Sequence, residues 1–308
     1  MAWRNIMVLA QGPILGFLAA VLLFGATPAK ADLDQAISAI EAKDYQTAKA
    51  QLDPLAEAGN AEAQYWLGRL YDAGDGVAEN PQTALDYFMK AAEQGHAESQ
   101  RVVGIYYEEG KVVEQSYVDA GRWYEKAAEQ DNDKALRNLA SLYLVGKGVP
   151  SSSRRAAELF EKSANLGNAK AKRNLAYLYY FGTGVRSDRD KAAVLFQQAA
   201  AAGVGKADYD LARLHYRGHG VPKNEELARK LFTKAAKDGY AKAQLFLGRM
   251  YLRGEGGPKD AKMAYFWLAI AATQEPRDAA RMLKRARDDL SSAEIDQLDK
   301  EIAAFQPS

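Results

Sequence analysis

The chain has 308 residues, 48% of them hydrophobic, with 17 Tyr, 10 Phe and no cysteine. That composition excludes a disordered chain, and the missing cysteine excludes disulfides, lipobox acylation and every thiolate metal site. The net charge of +1 hides an asymmetry, because residues 32–133 carry −13 and residues 134–308 carry +12. A chain that changes sign midway has a long electric dipole, which steers and orients charged partners and also fits head-to-tail self-association.

Residues 1–31 stand apart. Arg4 gives a positive start, Ile14 to Phe24 is unbroken and apolar, and Ala29-Lys30-Ala31 is a small-x-small pattern followed by polar Asp32. This predicts a signal peptide cleaved after Ala31, with export to the bacterial periplasm or beyond. Such an apolar core is short for a membrane span. The competing reading is an uncleaved anchor, since Ile6 to Ala26 is apolar apart from Gln11 and the Gly12-Pro13 break. Residues 32–60 predict a capping helix pair: Leu33, Ala36, Ile37 and Ile40 form one apolar stripe, and Ala48, Leu55, Ala56 and Gly59 a second.

From residue 61 a 36-residue period takes over and holds register to about residue 272. One column reads Gly74, Gly110, Gly146, Gly182, Gly218 and Gly254. A second reads Ala84, Ala120, Ala156, Ala192, Ala228 and Ala264, and a third Tyr71, Tyr107, Tyr143, Tyr179, His215 and Tyr251. Within one unit, Ala63, Leu67, Leu70 and Tyr71 share one helical face, and the glycines from Gly74 stop that helix. Pro81 suits the first turn of a second helix, whose buried stripe is Ala84, Leu85, Phe88, Ala91 and Ala92. The unit is therefore two antiparallel helices joined by a loop of roughly seven residues. Residues 273–308 read as two C-terminal capping helices, Arg277 to Leu290 and Ser292 to Phe305, with Ser291 or Ser292 as N-cap.

The pattern Ala-x-x-x-Leu-Gly-x-x-Tyr-x-x-Gly-x-Gly-Val, then Ala-x-x-aromatic-x-x-Ala-Ala-x-x-Gly, resembles the SEL-one-like repeat (SLR) family, relatives of the tetratricopeptide repeat. It stands at Ala63 to Val77 with Ala84 to Gly95, and, with Ala176 in the first Gly position, at Ala171 to Val185 with Ala192 to Gly203. Departures are few: Val112 and Asp131 replace glycines, His215 replaces a Tyr, and Gly257 replaces a Val. The resemblance implies an all-α, right-handed superhelical α/α solenoid, with partners among envelope or signalling proteins.

Catalytic chemistry is scarce. There are three histidines, and no Ser-x-x-Lys motif occurs. His215 and His219 are four apart, a spacing that suits metal on a helix, but His219 lies beyond the helix-ending Gly218 and no third ligand is evident. Gly254 to Lys259 has the look of a phosphate loop but lacks the P-loop spacing. The reading is a binding scaffold with no cofactor and no enzyme activity, a metal enzyme being the weaker alternative.

The resemblance to tetratricopeptide arrays implies that the first helix of each repeat lines a concave groove. Carried over by column, that groove holds Lys134, Arg137 and Asn138, then Lys170, Arg173, Asn174, Tyr177, Tyr180 and Phe181. Beyond them come Lys206, Tyr209, Arg213, Tyr216, Arg217, Arg249 and Arg253. Repeats three and four share Lys-x-x-Arg-Asn-Leu-Ala, a set that donates several hydrogen bonds to one carboxylate and resembles the clamp of peptide-binding tetratricopeptide domains. On this reading Arg173→Glu weakens binding without lowering thermal stability. The neighbouring aromatics also suit single-stranded nucleic acid, which export disfavours, or a cell-wall glycan, which export allows.

Overall fold

The computed structural model describes residues 28–307. The predicted leader lies outside them except for its last four residues, which fall in the first helix. A first pair, α1 (Pro28–Glu41) and α2 (Tyr45–Glu57), precedes the repeats. Then come α3 (Ala61–Ala73), α4 (Pro81–Glu93), α5 (Ala97–Glu109), α6 (Tyr117–Glu129), α7 (Asp133–Val145) and α8 (Ser153–Asn165). The series continues with α9 (Ala169–Phe181), α10 (Arg189–Ala201), α11 (Gly205–Arg217), α12 (Glu225–Lys237), α13 (Ala241–Arg253) and α14 (Ala261–Ala272). Two last helices, α15 (Pro276–Asp288) and α16 (Ser292–Ala304), close the stack. Among the described residues there are no strands; each helix from α1 to α14 packs on the next in sequence, and α16 packs back on α14, giving an all-α solenoid. None of these helices is long and apolar enough to cross a membrane.

Each helix starts and stops where its side chains dictate. Asn60, Asn132 and Asn168 cap α3, α7 and α9 by accepting the N–H three residues on, at 2.8–2.9 Å. At the other end Gly74, Gly146 and Gly182 turn left-handed at φ 72–73°, and the seven-residue loop follows. Ser291, not Ser292, caps α16, in a capping box with Glu294.

Two contacts set the stack. Within a repeat, the second helix drives a ring into the first: a Cβ on Gly68 would lie 2.6 Å from Phe88, and one on Gly104 2.5 Å from Tyr124. Phe88, Tyr124, Phe160, Phe196 and Phe232 are all fully buried in this column. Between repeats, the second loop glycine rests on the second helix of the preceding unit. A Cβ on Gly184 would lie 2.2 Å from the Ser153 carbonyl, and one on Gly220 2.2 Å from that of Arg189. Val112 holds the same position in repeat two at φ 56°, a conformation that a β-branched residue rarely adopts.

Candidate functional site

The period places the second residue of every first helix in one line: Glu62, Glu98, Lys134, Lys170, Lys206 and Lys242. Acids there suit the positive end of the helix dipole, whereas lysines oppose it at a cost of about 0.3–1 kcal/mol each. Three of those lysines come together. Lys134, Lys170 and Lys206 line a cleft of about 800 Å³ across α7, α9 and α11, with Arg137, Arg173 and Asn174 beside them.

These cations differ in what already holds them. Lys134 reaches Glu98 at 3.4 Å, while Lys170 and Lys206 make no ion pair among the described residues. Burial opposes ionisation of Glu98, but Arg101, Asn132 and Lys134 outweigh it and hold the carboxyl down at about 2. Arg137 makes no ion pair among the described residues; its Nη2 donates to Asn138 at 2.8 Å, and its Nε is buried without a partner. Burial, and then the charge of Arg101, pull the Arg137 guanidinium below its ordinary value. This is a cation held in unfavourable surroundings, which a ligand carboxylate would relieve.

Arg173 is different, and here the structure corrects the sequence reading. Its Nε donates to Asp210 at 2.7 Å, and its Nη2 to the Tyr177 hydroxyl at 3.2 Å. Tyr177 also donates to Asp210, which is 3% exposed. Burial pushes the Asp210 carboxyl up in spite of Arg173 and Tyr177. Replacing Arg173 by Glu would set a second carboxylate against a buried one, so stability would fall along with any binding. Asp210 was missed because it lies 37 residues on, in the next repeat.

The aromatic residues divide in the same way. Tyr209 is not a groove residue: it is 5% exposed, packed among Phe232, Tyr240 and Phe246. Tyr177, Tyr180 and Phe181 form a cup with Arg213 and Arg217, whose free space is only about 20 Å³, room for about one water. Phe181 stacks on Tyr177 at 6.2 Å and is 66% exposed. Arg249 lies over Phe246 and Tyr216, while Arg253 is drawn aside to Glu255 at 3.5 Å. His215 and His219 take separate partners, the Pro222 carbonyl and Tyr180, and no group of three His, Asp or Glu among the described residues could hold a metal.

The model of the Sel1 repeat matches six times in succession, at residues 61–96, 97–132, 133–168, 169–204, 205–240 and 241–276. The chain belongs to the Sel1 repeat family. A Sel1 repeat protein from Oxalobacter formigenes is 31% identical in sequence, with a TM-score of 0.73 over 79% of this chain and 98% of that one. The uropathogenic Escherichia coli protective antigen c5321, which displays an SLR fold, is 23% identical, with a TM-score of 0.52 over 91% and 85% of the two chains. The second likeness shows the fold alone. No curated protein matches. Sel1 repeat solenoids are typical of protein–protein interaction scaffolds, and this Sel1 repeat protein has the stacked first helices that such a scaffold presents.

Proposed function

We propose that this Sel1 repeat protein is a non-enzymatic periplasmic scaffold that holds an acidic, carboxylate-bearing segment of a partner protein along repeats three to five. One observation carries the reading: lysines at the N-termini of three successive first helices line a single cleft, beside an arginine that makes no ion pair among the described residues. The leader sequence supports the compartment. Because Lys170 and Lys206 are exposed and make no ion pair among the described residues, they can be reversed in charge without breaking one. Native-envelope crosslinking and mass spectrometry should recover a defined partner with the wild-type chain, and lose it with Lys170→Glu/Lys206→Glu at a melting temperature no lower than the wild type's, since glutamate suits the helix dipole at both positions. Equal recovery by both chains refutes the cleft. A glycan is the second reading, favoured by the exposed Phe181 ring, and competition by muropeptides would select it over a protein.

A further inference from the structure

A second cation-lined cleft shares no residue with the groove, and it arises from two departures that compensate each other. In successive repeats the column Leu85, Gly121, Ala157 and Ala193 faces the loop valine of the next repeat, Val113, Val149, Val185 and Val221. A Cβ on Gly121 would meet Val149 at 3.4 Å, and Ala157 with Val185 and Ala193 with Val221 fall in shared apolar clusters. At the fifth junction both partners change together. Arg229 stands where repeats one to four have Leu, Gly, Ala and Ala, and Gly257 stands where repeats one to five have a valine. A Cβ on Gly257 would lie 2.3 Å from Nη1 of Arg229, so the guanidinium occupies the space that the missing valine leaves.

That guanidinium is buried without a counter-ion. Arg229 is 9% exposed and lies over the Tyr251 ring at 3.8 Å. Its Nη2 donates to the Pro258 carbonyl at 3.1 Å, its Nε is buried without a partner, and no carboxylate pairs with it among the described residues. Ring and carbonyl offset part of the desolvation, but a buried charge of this kind is stable in company with an opposite one. The cleft it lines is about 660 Å³ and includes Lys230 and Lys259. Of its two carboxylates, Glu226 pairs with Lys230 inside the cleft at 2.7 Å, and Asp260 caps α14, accepting from Met263 N–H at 3.0 Å. That leaves Arg229 and Lys259 as the cations without an ion pair among the described residues.

We propose that the cleft between α12 and the α13–α14 loop is an oxyanion-binding site centred on Arg229, for a carboxylate- or phosphate-bearing ligand. Nη1 of Arg229 and the Lys259 ammonium supply the donors, and Tyr251 fixes the guanidinium plane.

Calorimetric titration of the full chain at low ionic strength with inorganic phosphate, and separately with acetate, tests it. The expected result is saturable binding of at least one probe, weakened roughly tenfold or more in Arg229→Ala/Gly257→Val, which restores the apolar pair of the other junctions. Arg229→Gln, which removes the charge and keeps a donor for Pro258, gives the same loss should the double variant not fold. Tighter phosphate binding identifies a phosphate-bearing ligand, and tighter acetate binding a carboxylate. The groove variant Lys170→Glu/Lys206→Glu retains this binding, which separates the site from the scaffold reading. No saturable binding of either probe by the wild type, or undiminished binding by the Arg229 variants, overturns the proposal.

Discussion

Gly184 and Gly203 are left-handed glycines of the same repeat, at φ 72° and 82°, yet alanine should cost very different amounts at the two. At Gly203 nothing lies within 4 Å of the added Cβ, so only backbone strain is incurred, partly offset by a stiffer unfolded chain. The net loss should be about 1 kcal/mol. At Gly184 the same Cβ would lie 2.2 Å from the Ser153 carbonyl carbon and oxygen and 2.6 Å from the Arg154 nitrogen. That is helix backbone of the preceding repeat, and it yields only if the two units move apart. Adding an overpacking cost of about 1–3 kcal/mol brings Gly184→Ala to about 2–4 kcal/mol in all. Urea unfolding followed by circular dichroism measures both, and Gly184→Ala should also broaden or split the transition, since coupling between neighbours is what keeps an array cooperative. Equal losses at the two positions would refute the claim that loop glycines set the spacing between repeats.

Three more expectations follow from single residues. Val112→Gly should raise stability by about 1 kcal/mol, because it relieves a β-branched residue at φ 56°; calorimetric melting checks the sign. Arg173→Ala should cost about 3–5 kcal/mol by leaving Asp210 buried and unpaired, with much of the loss recovered in Arg173→Ala/Asp210→Asn. Glu98 titrates at about 2 in the fold against an ordinary 4.5, so its stabilisation is complete above pH 4.5 and lost as pH falls through 2. Denaturation midpoints of Glu98→Gln should accordingly fall less steeply over that window than those of the wild type.

The repeat was legible because it is written in residues whose role is local. A glycine that must turn left-handed, an asparagine that caps, and a small residue opposite a ring each recur at 36-residue spacing, so columns reveal them without knowledge of neighbours. The groove was legible only in outline. Columns gave Lys134, Lys170 and Lys206, which do share a cleft, but they could not show that Arg173 is taken by Asp210 or that Tyr209 is walled in by Tyr240 and Phe246. Those outcomes depend on how far a side chain reaches across a junction, and each junction has its own residues. Arg229 left a trace, an arginine where the four preceding repeats have Leu, Gly or Ala, but its meaning required seeing Gly257 beside it.

The Arg229–Gly257 pair bears on how such an array can change its length. A deletion between equivalent glycines, such as Gly74 and Gly110, removes one unit and rejoins the chain in phase. Repeat five cannot be excised or relocated so freely. On one side its Asp210 needs the arginine of repeat four, and on the other its Arg229 needs a neighbour lacking the valine. Recombination that moved this unit would strand a buried carboxylate at one border and press a guanidinium into a methyl group at the other. The order of the last three units is thereby fixed by chemistry, so shortening or lengthening that leaves them untouched is the kind this chain tolerates.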